Sequence, residues 1–152
     1  VANSIREQIM TAVVAALAGG TPPAGLTVHR ERTRPIETDS LPAIMVYSED
    51  EQPKNLGSQT YRAPLTERQL SVGLQCRAKG STGVAPDVAL DPILVWAVKT
   101  ISQNETFGGL ANGVEEDRTV WSSREGDDPI AAATVHFTIK YRTSRLDPTS
   151  TS

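Results

Sequence analysis

Cysteine is almost absent from this chain of 152 residues. Cys76 stands alone, which excludes an intrachain disulfide and a metal site built from several thiolates. Its place in an alternating apolar run marks it as a small buried hydrophobe rather than a reactive thiol. Aromatic residues make up only 5% of the chain, so the core has to be built from Val, Ile, Leu and Ala. Long apolar runs are also missing. The richest, residues 9–17, is interrupted by Thr11 and falls far short of the roughly 20 residues of a membrane-spanning helix. Arg6, Glu7 and Gln8 precede it in a clear helical period, which reads against a secretory leader and for a soluble protein made in the cytoplasm, with no membrane partner. An excess of positive charge is lacking too. The formal charge is −3 and the cations are scattered, which argues against a protein that coats duplex DNA by neutralising phosphates.

Catalytic and ligand-binding signatures are equally sparse. His29 and His136 both fall at polar positions of strand-like segments, where structural or surface histidines are the ordinary case. There is no G-x-S-x-G elbow, and Gly108-Gly109 lacks the spaced glycines and following lysine of a phosphate loop. The acidic groups Glu49-Asp50-Glu51, Glu115-Glu116-Asp117 and Asp127-Asp128 lack the spacing and glycine of a calcium loop. Nothing singles out two of these acids as a glycosidase-like pair. The expectation is a non-enzyme with no catalytic residue, no metal and no cofactor.

What is present is periodic. Ser4 followed by Glu7 forms a capping-box pattern, and Ile5, Ile9, Val13 and Leu17 recur behind it until Gly19 and Gly20 stop the helix. Short strands are expected over residues 26–32 and 42–48, joined by a wide hairpin loop. Leu70, Val72, Leu74 and Cys76 alternate with polar residues as a half-buried strand. Pro86 opens a second helix bearing Leu90, Ile93, Leu94, Ala97, Val98 and Ile101. After a turn at Gly108-Gly109, residues 114–124 read as an edge strand. The longest alternation, Ala131 to Tyr141 in steps of two, is a final strand. The order α-β-β-β-α-β-β defines one α+β domain over residues 1–145, a mostly antiparallel sheet with two helices on one face. Residues 146–152 are expected to fray.

Two segments supply candidate interface residues. Arg30, Arg32 and Arg34 form the one dense basic stretch, and at strand spacing they share a face suited to ion pairs with a partner protein. Residues 49–63 are polar and aperiodic, so they read as a mobile excursion that orders on assembly, with Glu49, Asp50, Lys54, Asn55, Tyr61 and Arg62 as its contact residues.

The opening helix, Val28-His29-Arg30-Glu31-Arg32-Thr33-Arg34-Pro35 leading to Leu41-Pro42-Ala43-Ile44-Met45-Val46, and the strand Leu70 to Arg77 with its following helix form a distributed pattern. Gly108-Gly109-Leu110-Ala111 and the closing run Ala131 to Thr143 complete it. In this pattern the chain resembles the tail terminator proteins of tailed bacteriophages, the group similar to the minor tail protein U of long-tailed phages. The resemblance implies a small α/β protein that forms a homohexameric ring on the head-proximal end of the tail tube. Such a ring stops tube growth and offers a surface for head joining. Implied partners are further copies of the chain, the tail tube protein and a neck or head–tail connector protein, with DNA passing through unbound and the virion as the final location. The acidic balance suits such a passage. The competing expectations are a neck or head-completion protein and, behind it, a small hydrolase or a nucleic-acid-binding module using Arg30, Arg32 and Arg34.

Overall fold

The computed structural model describes residues 3–23, 25–30, 42–56, 65–81, 83–122, 130–144 and 146–150. Helix α1, Ile5–Gly19, starts where Ser4 Oγ accepts the Glu7 amide at 3.1 Å, and it buries Ile5, Ile9, Met10, Val13 and Leu17. Only half of the capping box forms in this way, because the Glu7 carboxylate is taken by Arg30. Helix α2, Pro86–Ser102, has proline in its first turn and buries Leu90, Ile93, Ala97 and Ile101. A second proline, Pro92, sits inside it. That residue cannot donate to the carbonyl one turn back, at Val88, which lies on the solvent side of the helix.

The sheet comprises β1 (Thr27–Arg30), β2 (Ala43–Leu56), β3 (Leu65–Lys79), β4 (Gly113–Ser122) and β5 (Ile130–Ser144), in the spatial order β1-β2-β3-β5-β4. The α+β class and the element order read from the sequence are those observed. β4 lies at a sheet edge as expected, and the helix-to-strand turn carries positive φ at Phe107, Gly108 and Gly109.

Three local expectations need correction. β1 runs parallel to β2, with Thr27 opposite Ala43 and Arg30 opposite Val46, so the two strands do not form the hairpin expected. A crossover of about a dozen residues is what a parallel pair requires. Second, the polar run from Glu49 is no excursion as far as Leu56. It is the outer half of β2, paired from Glu51↔Leu70 to Leu56↔Leu65, with a bulge between Ser48 and Glu51. Polarity misled here because this half of β2 is solvent-facing, where alternation carries no apolar signal. Third, residues 146–150 are held rather than frayed: Ser144 N–H donates to Ser150 O at 2.8 Å and Ile5 N–H to Pro148 O at 3.0 Å. The tail thereby satisfies one of the free amides at the start of α1.

Pleating divides the sheet into two faces. The helix side collects Ile44, Val46, Leu70, Val72, Leu74, Cys76, Ala133, Val135, Phe137 and Ile139, all buried against the two helices. Among the described residues the opposite side carries no helix. Registers place Lys54, Arg77, Lys79, Arg118, Lys140 and Arg142 on it, against the carboxylates Glu67 and Glu115 and the bulge residue Glu49. Among the described residues these six cations meet three acids and Asp117, the partner of Arg118, so this face carries more positive than negative charge on a chain whose net charge is −3.

Candidate assembly surfaces

The bulge in β2 builds the first surface. An extra residue in one strand bends it and re-aims its side chains. Here Glu49, Asp50 and Glu51 line one side of a cleft at the start of α1, Glu51 reaching Arg6 while the Glu49 carboxylate turns to His136 on the opposite face. This cleft of about 360 Å³ is also lined by Arg6, Glu7 and Arg30 and floored by Met10 and Leu70. Arg30 grips Glu7 with both guanidinium nitrogens, Nη1 to Oε1 at 2.6 Å and Nη2 to Oε2 at 2.8 Å. That hydrogen bonding holds the Glu7 carboxyl below its ordinary pKa.

Beyond the cleft the apolar lining of the helix side gives way to a polar plug. Arg68, Tyr141 and Thr143 occupy positions that continue the core rows. Arg68 Nε donates to Thr143 Oγ1 at 3.0 Å, and Arg68 Nη1 and Arg6 Nη1 lie 3.3 and 3.5 Å from Glu51 Oε2. The Tyr141 hydroxyl donates to Glu51 Oε1. Burial, reinforced by that bond to a carboxylate, pushes the Tyr141 phenol upward in pKa. Thr143 is fully buried, so the plug satisfies groups that could not otherwise leave water.

A second constellation lies on the helix-free face. Gly73, in the middle of β3, is opposite both Tyr47 and His136. A Cβ at Gly73 would stand 2.4 Å from Tyr47 Cζ, so the phenol ring lies flat across the strand where only glycine leaves room. The Tyr47 hydroxyl meets Thr134 and Glu49. Burial first, and the Glu49 charge next, raise its pKa. Glu49 also contacts His136 Nδ1.

A third surface is apolar. Trp121, on edge strand β4, is 66% exposed. It borders a groove of about 300 Å³ whose other wall is Leu94, Val95 and Val98 of α2. Neither helix covers this strand closely, and no residue of β4 reaches full burial. On the other flank of α2 lies a cleft of about 310 Å³ walled by Pro23, Pro42, Pro92, Ala78, Ala89 and Ile93, with Lys79 at its edge.

Of the interface residues expected from the sequence, Arg30, Glu49 and Asp50 converge on the bulge cleft. Lys54 stands apart, exposed on the outer half of β2, and Asn55 belongs to the same strand opposite Thr66. Arg32, Arg34, Tyr61 and Arg62 lie outside the described residues. Sequence reasoning missed Glu51, Arg68, Tyr141, Trp121 and the proline-walled cleft. A glycine inside a clean alternation, Gly73, was the available sign of a close approach, and a tryptophan in a polar edge strand was the sign of an uncovered apolar spot.

The fold and these surfaces define a two-layer α+β domain whose described helices cover one sheet face, with paired charges in the cleft beside the β2 bulge. Among the described residues no group of three His, Cys, Asp or Glu side chains is placed to hold a metal ion, and no helix is long and apolar enough to cross a membrane. No protein-family model matches the chain. No curated protein matches it at a significant level either.

Proposed function

We propose that this chain is a structural assembly protein that closes into a ring, hexameric as the family resemblance implies. The ring caps the head-proximal end of a phage tail tube, stops its growth and presents a surface to the neck or connector. DNA passes through the ring without specific binding. The observation that carries this reading is the uncovered β4 edge, where a two-thirds exposed tryptophan beside an apolar groove behaves as unused interface. Residues of the bulge cleft support it differently. Arg30, Arg6, Arg68 and their acids are engaged with one another, an arrangement that orients strands and rims rather than presenting reactive groups to a substrate. Electron microscopy of tail tubes polymerised with and without the purified protein tests the proposal. Tubes of limited length with a cap at one end are expected when the protein is present, and overlong tubes when it is absent. An unchanged length distribution would sink the reading, whereas normal-length tails that fail only to join heads would assign the chain to the neck.

A further inference from the structure

The bulge in β2 is fastened on both faces of the sheet. On the helix side Glu51 takes the Tyr141 hydroxyl, Arg68 and Arg6. On the opposite side the Glu49 carboxylate contacts His136 Nδ1 of β5 and meets the hydroxyl of Tyr47, whose ring crosses Gly73. The two fastenings hold the extra residue in place. Sliding the outer half of β2 by one position would bring Asp50 opposite Leu70 in place of Glu51 and turn every later side chain to the other face. Their chemistry differs in one respect. Carboxylates, guanidinium groups and phenols ordinarily keep one charge state between about pH 5 and 8, and an imidazole does not. The helix-side fastening contains only the former, whereas the other contains His136. The His136 side chain is 12% exposed and that of Glu49 26%, so water screens their contact only in part. Among the described residues the other groups facing His136 leave Glu49 as its counter-charge. Across Gly73 stands Tyr47, whose phenol burial raises above its ordinary pKa, so it stays neutral. On β4, Arg118 is opposite His136 with Asp117 as its partner, and Glu115 is taken by Lys140. Thr134 and Thr138, its neighbours on the same face of β5, carry no charge.

We infer that Glu49 and His136 form a proton-sensitive clasp: with His136 protonated the bulge is fixed and the outer half of β2, from Glu51 to Leu56, lies closed on β3, and loss of that proton loosens it. A charged imidazole attracts the Glu49 carboxylate, and a neutral one offers at most a hydrogen bond, so closure is favoured toward the acid end of the range. The outer half is the part of the sheet that such a change can move. Residues 43–46 lie between β1 and β3, whereas residues 51–56 pair with β3 alone among the described residues. A segment paired on one side opens locally at a smaller cost than the sheet as a whole. Glu49, Asp50 and Glu51 also line the cleft at the start of α1, so that wall loosens with the clasp. The inference goes beyond the ring reading and does not depend on it.

Hydrogen exchange read by NMR, with each rate divided by that of the unfolded chain at the same pH, tests the clasp. Amides of residues 51–56 that bond to β3 should be about fivefold better protected at about pH 5.5 than at about pH 8, the difference between a charge-assisted and a neutral hydrogen bond. Amides of residues 43–46 should show no such ratio, and in the same spectra they report whether each variant is folded. His136→Gln and Glu49→Gln should each abolish the ratio, the first by removing the proton site and the second by removing the charge it faces. His29→Gln, at the chain's other histidine, should leave it in place. An outer half equally protected at both pH values in the wild type overturns the inference. So does a ratio that survives His136→Gln or Glu49→Gln, or one that is lost in His29→Gln. None of these measurements involves tube length, so the ring reading stands or falls separately.

Discussion

At the scale of single residues, the closest packing in the sheet is also its clearest test. Replacing Gly73 with alanine puts a methyl group inside the Tyr47 ring, so the ring must swing away and give up its contacts with Thr134 and Glu49. Overpacking of this kind costs about 1–3 kcal/mol, and urea denaturation should show a loss in that range. In a Tyr47→Ala background the same substitution should cost nothing or stabilise slightly, because alanine loses less chain entropy than glycine. Equal losses in both backgrounds would mean that the ring does not lie on Gly73. Cys76 gives a second test through pH. Burial pushes its thiol up to about 12 from an unfolded value near 9, so the folded chain holds a proton that the unfolded chain releases. That contribution is intact below pH 9 and is lost as pH climbs from about 9 to about 12. The raised phenols of Tyr47 and Tyr141 act in the same direction from about pH 10. Stability measured across this range should fall steeply, and Cys76→Ala should flatten the first part of the fall.

At the scale of elements, the start of α1 is held from two sides, by Ser4 Oγ and by the returning tail. Ser4→Ala should cost about 1 kcal/mol, as loss of a helix cap usually does. Removing residues 146–152 should leave the fold intact but speed hydrogen exchange at the Ile5 amide, whose acceptor is Pro148 O; unchanged exchange would count against that bond. A deletion of residues 53–59, which would be harmless in a loop, instead removes four paired positions of β2 and should lower stability along with assembly. How legible each element was depended on whether one of its faces is dry. α1, α2, β3 and β5 each set an apolar stripe against the core, and their periods are plain in the sequence. The outer half of β2 has water on one face and, on the other, only the first members of a polar plug, so no period of two survives. Parallel pairing of β1 was hidden for another reason: four residues at an edge carry no record of strand direction. The plug itself could not be read, because Glu51, Arg68 and Tyr141 are distant in sequence and meet only once the bulge sets its register.

At the scale of the whole molecule, the balance between covered and uncovered surface decides what the fold can do alone. Among the described residues the helix side of the sheet is closed by α1 and α2, while no helix covers the opposite face and Trp121 on the β4 edge stays exposed. A ring that covers the Trp121 edge adds stability that depends on protein concentration, because every copy gains a neighbour only by mass action. For a six-membered ring each tenfold rise in concentration is worth about 1.2 kcal/mol per copy once the ring is populated. In a chain of this size a change of that order moves the melting temperature by roughly 2–5 °C. Differential scanning calorimetry of the wild type above the association threshold should therefore show a melting temperature that climbs by a few degrees per decade of concentration. The Trp121→Asp chain should melt at one temperature throughout, since it keeps the core but has no neighbour. If both proteins melt independently of concentration, the exposed tryptophan serves no contact between copies. If both climb together, the contact lies elsewhere on the molecule, with the cationic sheet face the next surface to alter.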